Sequence, residues 1–471
     1  MLGKVKKIHF IGIGGIGMSG MAELLFNLGY KISGSDLNES DITNHLNDIG
    51  IKILIGHKKD NVQDIDLVVY SSAVSMDNVE IQEAKDNNIP FIKRAEMLGE
   101  LLKVKDNSIA VAGTHGKTTT TSMLGVILDM AKIDPTIVVG GIVQDFKSNS
   151  IFGKGDTIVV EADEYDKTLL SLKPNMSIVT NIDLEHIDCY PNIENLKETF
   201  LIFLNSIPFF GINIIYYDDE NIKSIIKDIK RPYITYGLSD ECNVRYENPK
   251  FKGLKSSYDL VVNNKKISRI DLQVPGEHNI LNSLASICIA LEMEIPINII
   301  KEGLLKYEGV KRRFEIKKSF TYESNSLFIV DDYAHHPSEI EATIGAAKSS
   351  WNLNKLIVVF QPHLYSRTKN FYKEFADVLS NADIVIITEI YPSREEKIAG
   401  VDSKMIFNKL DDKIESYLLR KTEVAKKIPK IISRNDDTMI IVMGAGDIRN
   451  IVPDIESAII NTDPLTNLLD N

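Results

Sequence analysis

Cysteine is scarce in this sequence, with three among 471 residues: Cys189, Cys242 and Cys288. They lie far apart and form no CxxC pair, which argues against both a disulfide framework and a cysteine zinc site. Such usage is typical of proteins in a reducing compartment. We therefore expect a cytoplasmic protein.

Positive charge is also in short supply. The 54 lysines and arginines are outnumbered by 66 acidic residues, which gives a formal net charge of -12. General nucleic-acid binders need clustered basic residues to displace counterions from phosphates. The one compact basic run, 311–313, is too short for that, and is either a solvated loop or a clamp on a small anionic substrate. We expect no nucleic-acid partner.

No segment offers the roughly 20 uninterrupted apolar residues that cross a bilayer. The apolar stretch Ile8–Met21 follows Lys4, Lys6 and Lys7 and superficially resembles a signal peptide. It is interrupted by Gly12, Gly14, Gly15 and Gly17, however, and it lacks a convincing small-residue cleavage site. We expect neither a targeting segment nor a membrane partner.

What the sequence does contain is a regular alternation of short β-branched runs and longer amphipathic stretches, which is typical of parallel α/β layers. Between about Pro232 and Pro275 the pattern changes to short alternating segments with turn residues, which predicts a small antiparallel insert. The runs predicted as parallel strands are Ile8–Ile13, Leu67–Ser71, Ser108–Ala112, Thr157–Val160, Ser177–Thr180, Leu356–Phe360, Ile384–Thr388 and Met439–Met443.

Two breaks, near Lys103–Asn107 and Tyr307–Lys311, divide this alternation. A single core stops growing at roughly 250 to 300 residues, so several domains are required. We predict an α/β protein of three domains: a Rossmann-like domain at 1–106, a central P-loop ATPase-like domain with the insert at 107–309, and a second Rossmann-like domain at 310–471.

A glycine-containing loop joins a buried strand to a helix that opens with threonines, in the segment from Ile109 to Thr119. Such a loop turns backbone N–H groups and a helix N-terminus toward phosphate oxygens. Lys117 would then contact the β- and γ-phosphates of a nucleotide, and Thr118 would bind Mg²⁺. The common GxxxxGK[ST] pattern is not met, because Val111 stands at its first glycine position. A glycine turn with a chance Gly-Lys-Thr is the alternative.

Acidic residues follow the predicted strand 157–160, where four acids lie within six residues: Glu161, Asp163, Glu164 and Asp166. Strands of α/β folds deliver metal ligands at their carboxyl ends, although a charged surface turn would look the same. His186 lies just beyond the next predicted strand, at the same edge of the sheet. It is either a metal ligand or an ordinary structural histidine.

The first fifth of the chain carries the GxGxxG pattern as Gly12-Ile-Gly-Gly-Ile-Gly, and Asp36 closes the following strand. This dinucleotide fingerprint holds a diphosphate at a helix N-terminus and a ribose at the acid. A UDP-sugar presents the same diphosphate and ribose as NAD. The motif alone therefore leaves these two ligands undecided.

Histidines accumulate after strands of the last third, at His335, His336 and His363. A zinc site is disfavoured, because adjacent histidines cannot easily face one ion, no HExxH is present and no cysteine joins them. Histidine, tyrosine and arginine at strand ends more naturally bind a substrate that carries a carboxylate.

In their order along the chain, these motifs resemble the Mur ligase family of peptidoglycan synthesis, and most closely its L-alanine-adding branch. The resemblance covers nearly the whole chain, and so many ordered matches leave little room for coincidence. The matching segments are Gly12–Gly20, Ser71–Ala73, Arg94–Leu98, Ala112–Thr120, Glu161–Glu164, Thr180–His186, Pro275–Asn279, Arg312–Phe314, Asp331–Pro337 and Gln361–Thr368.

The resemblance implies an enzyme whose first domain binds the UDP-sugar, whose central domain binds ATP with two Mg²⁺ ions, and whose third domain binds the amino acid. The reaction would join L-alanine to the carboxylate of UDP-N-acetylmuramate through an acyl phosphate, with release of ADP and phosphate, in cytoplasmic synthesis of the cell wall. Its partners would be these small-molecule substrates, and the chain would be a monomer or a weak homodimer.

Roles for individual residues are implied as well. The UDP-sugar would be bound by Gly12, Gly14, Gly15, Gly17, Ser19, Asp36, Ser71, Ser72 and Arg94. ATP would be bound by Gly113, Thr114, His115, Gly116, Lys117, Thr118, Thr119, His278, Asn279, Asn282, Arg313 and Asp332. The metal ions would be bound by Thr118, Glu161 and His186, and alanine binding and catalysis would use Lys117, His186, Tyr333, His335 and Arg367. Leu364 departs from the family pattern, because some members carry an arginine there that would contact a carboxylate.

Three other functions are compatible with parts of the sequence. A peptide-recycling ligase, which attaches a preformed peptide to the same UDP-sugar, shares the ATP motifs but is expected to differ around His186. A nicotinamide dehydrogenase would use the first glycine loop and leave the second without a purpose. A non-catalytic P-loop regulator would turn over no ATP with any carboxylate.

Overall fold

A computed structural model describes residues 2–143, 148–185, 189–322, 325–393, 395–433, 435–462 and 467–468. His186, predicted as a metal ligand, lies outside these residues. The chain forms two compact units. The first unit comprises Met1–Asn248, Tyr258–Asp271 and Ile280–Val310, and the second comprises Pro249–Ser257, Leu272–Asn279 and Lys311–Asn471.

Strands and helices alternate along most of the chain. The strands are β1 (Lys7–Ile11), β2 (Lys31–Asp36), β3 (Lys52–Ile55), β4 (Leu67–Tyr70), β5 (Phe91–Lys93), β6 (Asn107–Ala112), β7 (Thr136–Val143), β8 (Ser148–Ile151), β9 (Thr157–Glu161), β10 (Met176–Val179), β11 (Ile212–Tyr216), β12 (Tyr233–Gly237), β13 (Val244–Lys252), β14 (Lys255–Val262), β15 (Lys265–Leu272), β16 (Glu315–Tyr322), β17 (Asn325–Asp332), β18 (Lys355–Phe360), β19 (Ile384–Ile387), β20 (Glu415–Leu418), β21 (Thr438–Met443) and β22 (Asn467–Leu468). The helices are α1 (Ile16–Asn27), α2 (Asp41–Asp48), α3 (Val79–Asp86), α4 (Arg94–Leu102), α5 (Lys117–Met130), α6 (Ile193–Ser206), α7 (Glu220–Ile225), α8 (Glu277–Glu292), α9 (Ile297–Lys306), α10 (Pro337–Ser350), α11 (Tyr365–Leu379), α12 (Lys404–Phe407), α13 (Lys421–Lys427) and α14 (Val452–Thr462).

The first sheet has five parallel strands in the order β3-β2-β1-β4-β5. The strand order reverses between β1 and β4, and open α/β sheets bind ligands beyond the carboxyl ends of the strands at such a switch point. The loop from Gly12 follows β1, and the segment from Ser71 follows β4. Both therefore lie at the crevice where this sheet can hold a ligand.

The second sheet has ten strands in the order β15-β14-β13-β12-β11-β10-β6-β9-β7-β8. Its central strand β6 is buried over all but its first residue and pairs in parallel with β10 on one side and β9 on the other. The carboxyl ends of these three strands consequently meet at one edge. The loop from Gly113, the side chain of Glu161 and the segment from Thr180 are placed together there.

The predicted antiparallel insert is confirmed at β13, β14 and β15, but it begins later than predicted, because β12 pairs in parallel with β11 and β13. Two residues connect β13 to β14, and two connect β14 to β15. Neighbouring strands joined this tightly run antiparallel, because a parallel connection needs a dozen or more residues. Asn263 and Asn264 both adopt positive φ, 48° and 62°, which is the backbone of a type I′ hairpin turn.

The third sheet, in the second unit, has seven strands in the order β20-β19-β18-β21-β17-β16-β22. The strands from β20 to β17 are parallel, and β16 and β22 extend the sheet in antiparallel fashion. Val358 belongs to a buried cluster with α10 and α11, and Val359 to another with α13 and α14. Because successive residues of a strand face opposite sides, helices cover both faces of this sheet. The predicted α/β class is thus confirmed.

One continuous buried cluster connects the first two sheets, because it includes Phe10 of the first sheet, Leu98 of α4, and Ala110 and Val160 of the second sheet. A hydrogen bond from Ser150 Oγ to Glu23 Oε2, 3.0 Å long, links β8 to α1 across the same contact. Within the described residues, no helix is both long and apolar enough to cross a membrane.

Candidate functional site

The phosphate loop, residues 113–116 between β6 and α5, is built around two glycines with positive φ. Gly113 has φ 130° and lies so close to the end of β10 that an added Cβ would come within 2.0 Å of Thr180 Oγ1. Gly116 has φ 81°, and an added Cβ there would come 2.6 Å from Asn282 Oδ1. Both the backbone conformation and the packing therefore require glycine at these positions.

Hydrogen bonds from the end of β10 fix the first half of the phosphate loop. The Thr114 N–H donates to the Asn181 carbonyl oxygen at 3.1 Å, and the His115 N–H donates to Asn181 Oδ1 at 2.8 Å. These two N–H groups are therefore satisfied within the protein. The first turn of α5, at Lys117 to Thr119, carries N–H groups without intrahelical acceptors, and these can bind an anion.

The Lys117 side chain is largely buried and folds back over the phosphate loop. Its Nζ donates to the carbonyl oxygens of Gly113 at 2.7 Å and Thr114 at 3.1 Å, and to the Glu164 carboxylate at 2.8 Å. Burial alone would lower the pKa of Lys117, but the charges of Glu164 and the neighbouring acids outweigh burial and raise it. A permanent cation therefore lies at the N-terminus of α5.

Glu161, at the end of β9, faces the first turn of α5. Thr118 Oγ1 lies 3.0 and 2.9 Å from its two carboxylate oxygens, and the Gly140 N–H donates to Oε2 at 2.6 Å. Burial raises the pKa of Glu161 and outweighs the lowering effects of Lys117 and of these hydrogen bonds. A partly buried carboxylate beside a hydroxyl is a pair of hard oxygen donors, which suits Mg²⁺. The two predicted ligands of the first metal ion are thus adjacent.

Asn282, on α8, lies on another side of the phosphate loop, against Gly116. Thr120 Oγ1 donates to Asn282 Oδ1 at 3.2 Å, and Ser286 Oγ donates to the Thr120 carbonyl oxygen at 3.2 Å. The predicted nucleotide-binding residue Asn282 is thereby anchored to α5, within contact distance of the loop.

The first glycine loop, residues 12–17, meets Asp36 as the fingerprint predicts. The Gly14 N–H donates to Asp36 Oδ2 at 2.8 Å, and an added Cβ on Gly14 would lie 2.9 Å from the same oxygen. Gly17 is packed as closely, because an added Cβ there would lie 2.8 Å from Arg94 Nη1. The arginine at the start of α4 is therefore held against this loop, where a diphosphate would need a cation.

Ser71 borders the first glycine loop from the β4 side. Its N–H donates to the Ile11 carbonyl oxygen at 3.1 Å, and its Cβ lies 3.2 Å from the position of an added Cβ on Gly12. Ser72 beside it is exposed, whereas Ser19 is buried on α1. The residues predicted to bind the UDP-sugar thus gather around the switch point of the first sheet.

In the second unit, Arg313 lies close enough to His278 for its charge to affect the pKa of that histidine. Burial, with a smaller contribution from the Arg313 charge, lowers the pKa of His278 to about 4. The imidazole is therefore neutral at pH 7 and can accept a hydrogen bond. Arg313 Nη1 donates to Glu339 Oε1 at 3.2 Å, and Asn279 Nδ2 donates to the Pro275 carbonyl oxygen at 2.7 Å.

Asp332, predicted near the ATP ribose, is buried and closes a turn with its carboxylate. Its Oδ2 accepts the Phe314 N–H and its Oδ1 accepts the Ala334 N–H, each at 2.7 Å. Burial raises the pKa of Asp332 to about 6, against the lowering effect of Arg313. Both carboxylate oxygens of Asp332 accept backbone N–H groups in this structure. Contact of Asp332 with a ribose therefore stays a prediction.

Tyr333, His335, His363 and Arg367 form one cluster at the carboxyl edge of the third sheet, which we call the third-sheet cluster. Ring centroids lie 5.0 Å apart between Tyr333 and His335, and 5.9 Å apart between His335 and His363. Arg367 Nη1 lies 3.3 Å from His363 Nδ1, and Tyr391 stacks on the His363 ring at 5.8 Å. A buried guanidinium beside imidazole and phenol groups suits the carboxylate of a small amino acid.

Two residues at this edge were not given a role in alanine binding from the sequence. His363, a member of the third-sheet cluster, was counted only among the strand-end histidines that suit a carboxylate, although its place after β18 in Gln361-Pro-His would have allowed the assignment. Tyr391 comes from a segment without a motif, and a β-bridge joins it to His363. Leu364, the departure from the family pattern, adopts φ 69° and donates its N–H to the Tyr391 carbonyl oxygen at 2.9 Å.

Three family models match successive parts of this chain. The model of the Mur ligase family, catalytic domain, matches residues 7–106. The model of the Mur ligase middle domain matches residues 111–290. The model described as Mur ligase, glutamate ligase domain, matches residues 312–446.

Individual proteins match over nearly the whole length. The UDP-N-acetylmuramate–L-alanine ligase of Trichlorobacter lovleyi is 44% identical over 452 residues, which cover 95% of this chain and 98% of the relative. The solved structure of UDP-N-acetylmuramate–alanine ligase from Thermotoga maritima matches with a TM-score of 0.80 and 31% identity, covering 97% of this chain and 100% of that one. A murein peptide ligase from Psychrobacter arcticus shares the fold, with a TM-score of 0.69 and 24% identity over 97% and 99% of the two chains.

Proposed function

This chain belongs to the Mur ligase family, and we propose that it joins L-alanine to UDP-N-acetylmuramate in cytoplasmic synthesis of peptidoglycan precursors, converting ATP to ADP and phosphate. The observation that carries the proposal is the 44% identity to an L-alanine-adding ligase over 95% of the chain. The phosphate loop beside the partly buried carboxylate of Glu161 agrees with it. A nicotinamide dehydrogenase is disfavoured, because it would have no use for that second loop.

The chemistry explains why a nucleotide is required. A carboxylate does not react with an amine at neutral pH, because its oxygen is a poor leaving group. Transfer of the γ-phosphoryl group from ATP to a carboxylate oxygen gives an acyl phosphate and ADP. The amine of alanine, having lost a proton, then attacks the carbonyl carbon, and phosphate leaves as the tetrahedral intermediate collapses to the amide.

Two anions must approach each other in the first step, the substrate carboxylate and the γ-phosphate. The Lys117 ammonium and the N–H groups at the N-terminus of α5 provide positive charge for that approach. In the structure this ammonium is bound to Glu164. We infer that a bound nucleotide competes with Glu164 for Lys117, so that the cation is held in place before the phosphates arrive.

Thr118 and Glu161 fit a divalent cation, since they are adjacent hard oxygen donors and a bound cation would offset the cost of the partly buried carboxylate's charge. When bound, Mg²⁺ would neutralise charge that develops on the transferring phosphoryl group. Glu161 would hold the ion beside the first turn of α5, and Thr118 would exchange its hydrogen bond to Glu161 for the metal. His186 stays the predicted ligand of a second ion.

The acceptor nucleotide is assigned to the first glycine loop. The N–H groups at the start of α1, together with Arg94 packed on Gly17, support binding of a diphosphate there. The third-sheet cluster is assigned to L-alanine, with Arg367 on its carboxylate. The sequence predicted both assignments, and contacts observed within each unit support them.

Phosphate release is the direct test of the function. Protein supplied with ATP, Mg²⁺ and UDP-N-acetylmuramate is expected to release phosphate rapidly when L-alanine is added, and more slowly with glycine or L-serine. Faster release with a preformed peptide than with L-alanine would favour the peptide-recycling function. No release with any amino acid or peptide would leave a non-catalytic nucleotide-binding protein.

Arg367→Ala is expected to raise the KM for L-alanine roughly tenfold while changing the KM for ATP less than about twofold. A charge-assisted hydrogen bond to a carboxylate contributes roughly 1.5 to 3 kcal/mol, and each 1.4 kcal/mol is tenfold in affinity. Initial rates of phosphate release at varied alanine and ATP measure both constants. Arg420→Ala, at a side chain 77% exposed, is the matched control. An equal rise in both KM values would place Arg367 outside the alanine site.

A further inference from the structure

A fully buried carboxylate lies near the first glycine loop, in a network that the proposed mechanism does not use. Glu80, in the first turn of α3, is 0% exposed. Ser35 Oγ donates to its Oε2 at 2.6 Å, and His57 Nδ1 lies 3.1 Å from the same oxygen. Asn61 Nδ2 donates to Oε1, which also accepts the Lys58 N–H at 3.3 Å. Glu80 therefore joins the first turn of α3 to β2 and to the segment after β3.

This network fixes the tautomer of a histidine. Burial would raise the pKa of Glu80, but the neighbouring His9 together with hydrogen bonds from Ser35 and Asn61 outweighs burial and holds the pKa at about 2. A carboxylate that is ionised can only accept hydrogen bonds, so His57 must carry a proton on Nδ1. Its Nε2 is then the ring nitrogen left for a ligand, and in the singly protonated ring Nε2 is an acceptor.

His57 lies close to the site assigned to the nucleotide-sugar. It follows Gly56, whose N–H donates to the Asp36 carbonyl oxygen at 2.8 Å. In sites of the dinucleotide type, an acid in the place of Asp36 binds the ribose, and the base therefore lies near this acid. The His57 side chain is 15% exposed, so it can reach a ligand, whereas the His9 side chain is 0% exposed.

The same network also supports the first glycine loop itself. Ser35, which donates its hydroxyl to Glu80, accepts the Gly12 N–H on its carbonyl oxygen at 2.8 Å and the Ile13 N–H at 3.0 Å. Glu80 is thus connected to both parts of the nucleotide site, the diphosphate loop through Ser35 and the base side through His57.

We propose that His57 reads the uracil base of the nucleotide-sugar and that Glu80 is the positioning residue that holds it. With Nδ1–H directed to Glu80, the Nε2 atom accepts a hydrogen bond from the N3–H of uracil. Cytosine carries no proton on N3, so its N3 and His57 Nε2 would both be hydrogen-bond acceptors, and neither would have a donor. The chain therefore discriminates uridine from cytidine nucleotides. This inference rests on the proposed function, because it takes a UDP-sugar as the ligand.

Calorimetric titration with UDP and with CDP tests the inference without any turnover. The native protein is expected to bind UDP roughly tenfold more tightly than CDP, since one hydrogen bond is at stake. His57→Ala should lose about tenfold in UDP affinity and less than about twofold in CDP affinity, so that the preference disappears. Glu80→Gln should reduce the preference as well, because one acceptor oxygen becomes an N–H donor that opposes Nδ1–H.

Thermal unfolding of each variant separates positioning from simple destabilisation. Glu80 is buried. If Glu80→Gln does not fold, His57→Ala is the decisive variant, because the His57 ring is partly exposed. His45→Ala on α2, at a side chain 57% exposed, should keep the native preference. A native ratio of UDP to CDP affinity in His57→Ala would overturn the inference, whatever its melting temperature. Failure of the native protein to bind either UDP or UDP-N-acetylmuramate would instead contradict the proposed function.

Discussion

Lys117→Met should abolish phosphate release and leave UDP-N-acetylmuramate binding intact. The Lys117 ammonium lies at the N-terminus of α5, where the γ-phosphate and the substrate carboxylate would meet. Loss of a preorganised charge from such a site typically costs 10²- to 10⁵-fold in rate. We therefore expect kcat to fall by at least about a thousandfold. Initial rates of phosphate release measure the fall, and calorimetry with the UDP-sugar shows whether the first domain is intact.

Lys117→Met also leaves Glu164 without its ion-pair partner. A double variant can therefore separate the role of Lys117 in stability from its role in catalysis. Glu164 is 0% exposed, and loss of one member of a buried pair can destabilise a protein by about 3 to 5 kcal/mol. The double variant Lys117→Met/Glu164→Gln removes both charges, and it should recover thermal stability without recovering activity. Recovered activity would show that Lys117 serves folding and not phosphoryl transfer. Lys103→Met, at a side chain 64% exposed, is the matched control.

The framework of these sites follows from the sequence because the strands concerned are buried on both faces. Such strands read as continuous apolar runs, and their ends are marked by the first glycine or acid. The prediction Ser108–Ala112 became Asn107–Ala112, and Thr157–Val160 became Thr157–Glu161. Once these strands are known to be parallel neighbours, their carboxyl ends must meet. The proximity of Glu161 to the phosphate loop was therefore predictable.

The direction of individual side chains beyond the strand ends was not predictable. Four acids lie within six residues, beginning at the last residue of β9, and composition alone does not separate them. In the structure Glu161 faces Thr118, whereas Glu164 pairs with Lys117 from the start of a 3₁₀ turn. The different directions of Glu161 and Glu164 depend on the turn between them. Contacts that are distant in sequence hold this turn, such as the hydrogen bond that the Tyr190 hydroxyl donates to the Glu164 carbonyl oxygen at 2.6 Å.

Some residues were given no role for the same reason. Asn181 accepts from two N–H groups of the phosphate loop, yet within the matched segment Thr180–His186 nothing distinguished it from its neighbours. Glu80 stands in the first turn of a helix, where an acid is expected to be exposed and to favour the helix dipole. Its burial arises from partners on three other segments, and no local pattern reports contacts of that kind. Long-range packing therefore set the part of the site that the sequence did not reveal.

Glu161→Gln should raise the Mg²⁺ concentration for half-maximal activity by about a hundredfold. Outer partners of a metal site typically contribute 10- to 100-fold in affinity, and loss of a charged ligand costs at least as much. The amide keeps an oxygen that can accept the Gly140 N–H, so the fold around β9 should be retained. Phosphate release measured against Mg²⁺ at saturating ATP gives the shift. An unchanged titration would assign Glu161 a structural role in holding Thr118.

Two further variants distinguish a ligand from a general electrostatic effect. Asp163→Asn removes the same charge from a side chain that is 41% exposed and 4.0 Å from Lys117, and it should shift the Mg²⁺ titration less than about threefold. Gly140→Ala keeps every charge but adds a Cβ 2.9 Å from Glu161 Oε2, which must displace the carboxylate. We expect an intermediate shift, because the carboxylate persists but no longer lies beside Thr118. Equal shifts for Glu161→Gln and Asp163→Asn would mean that local charge, and not coordination by Glu161, sets the Mg²⁺ requirement.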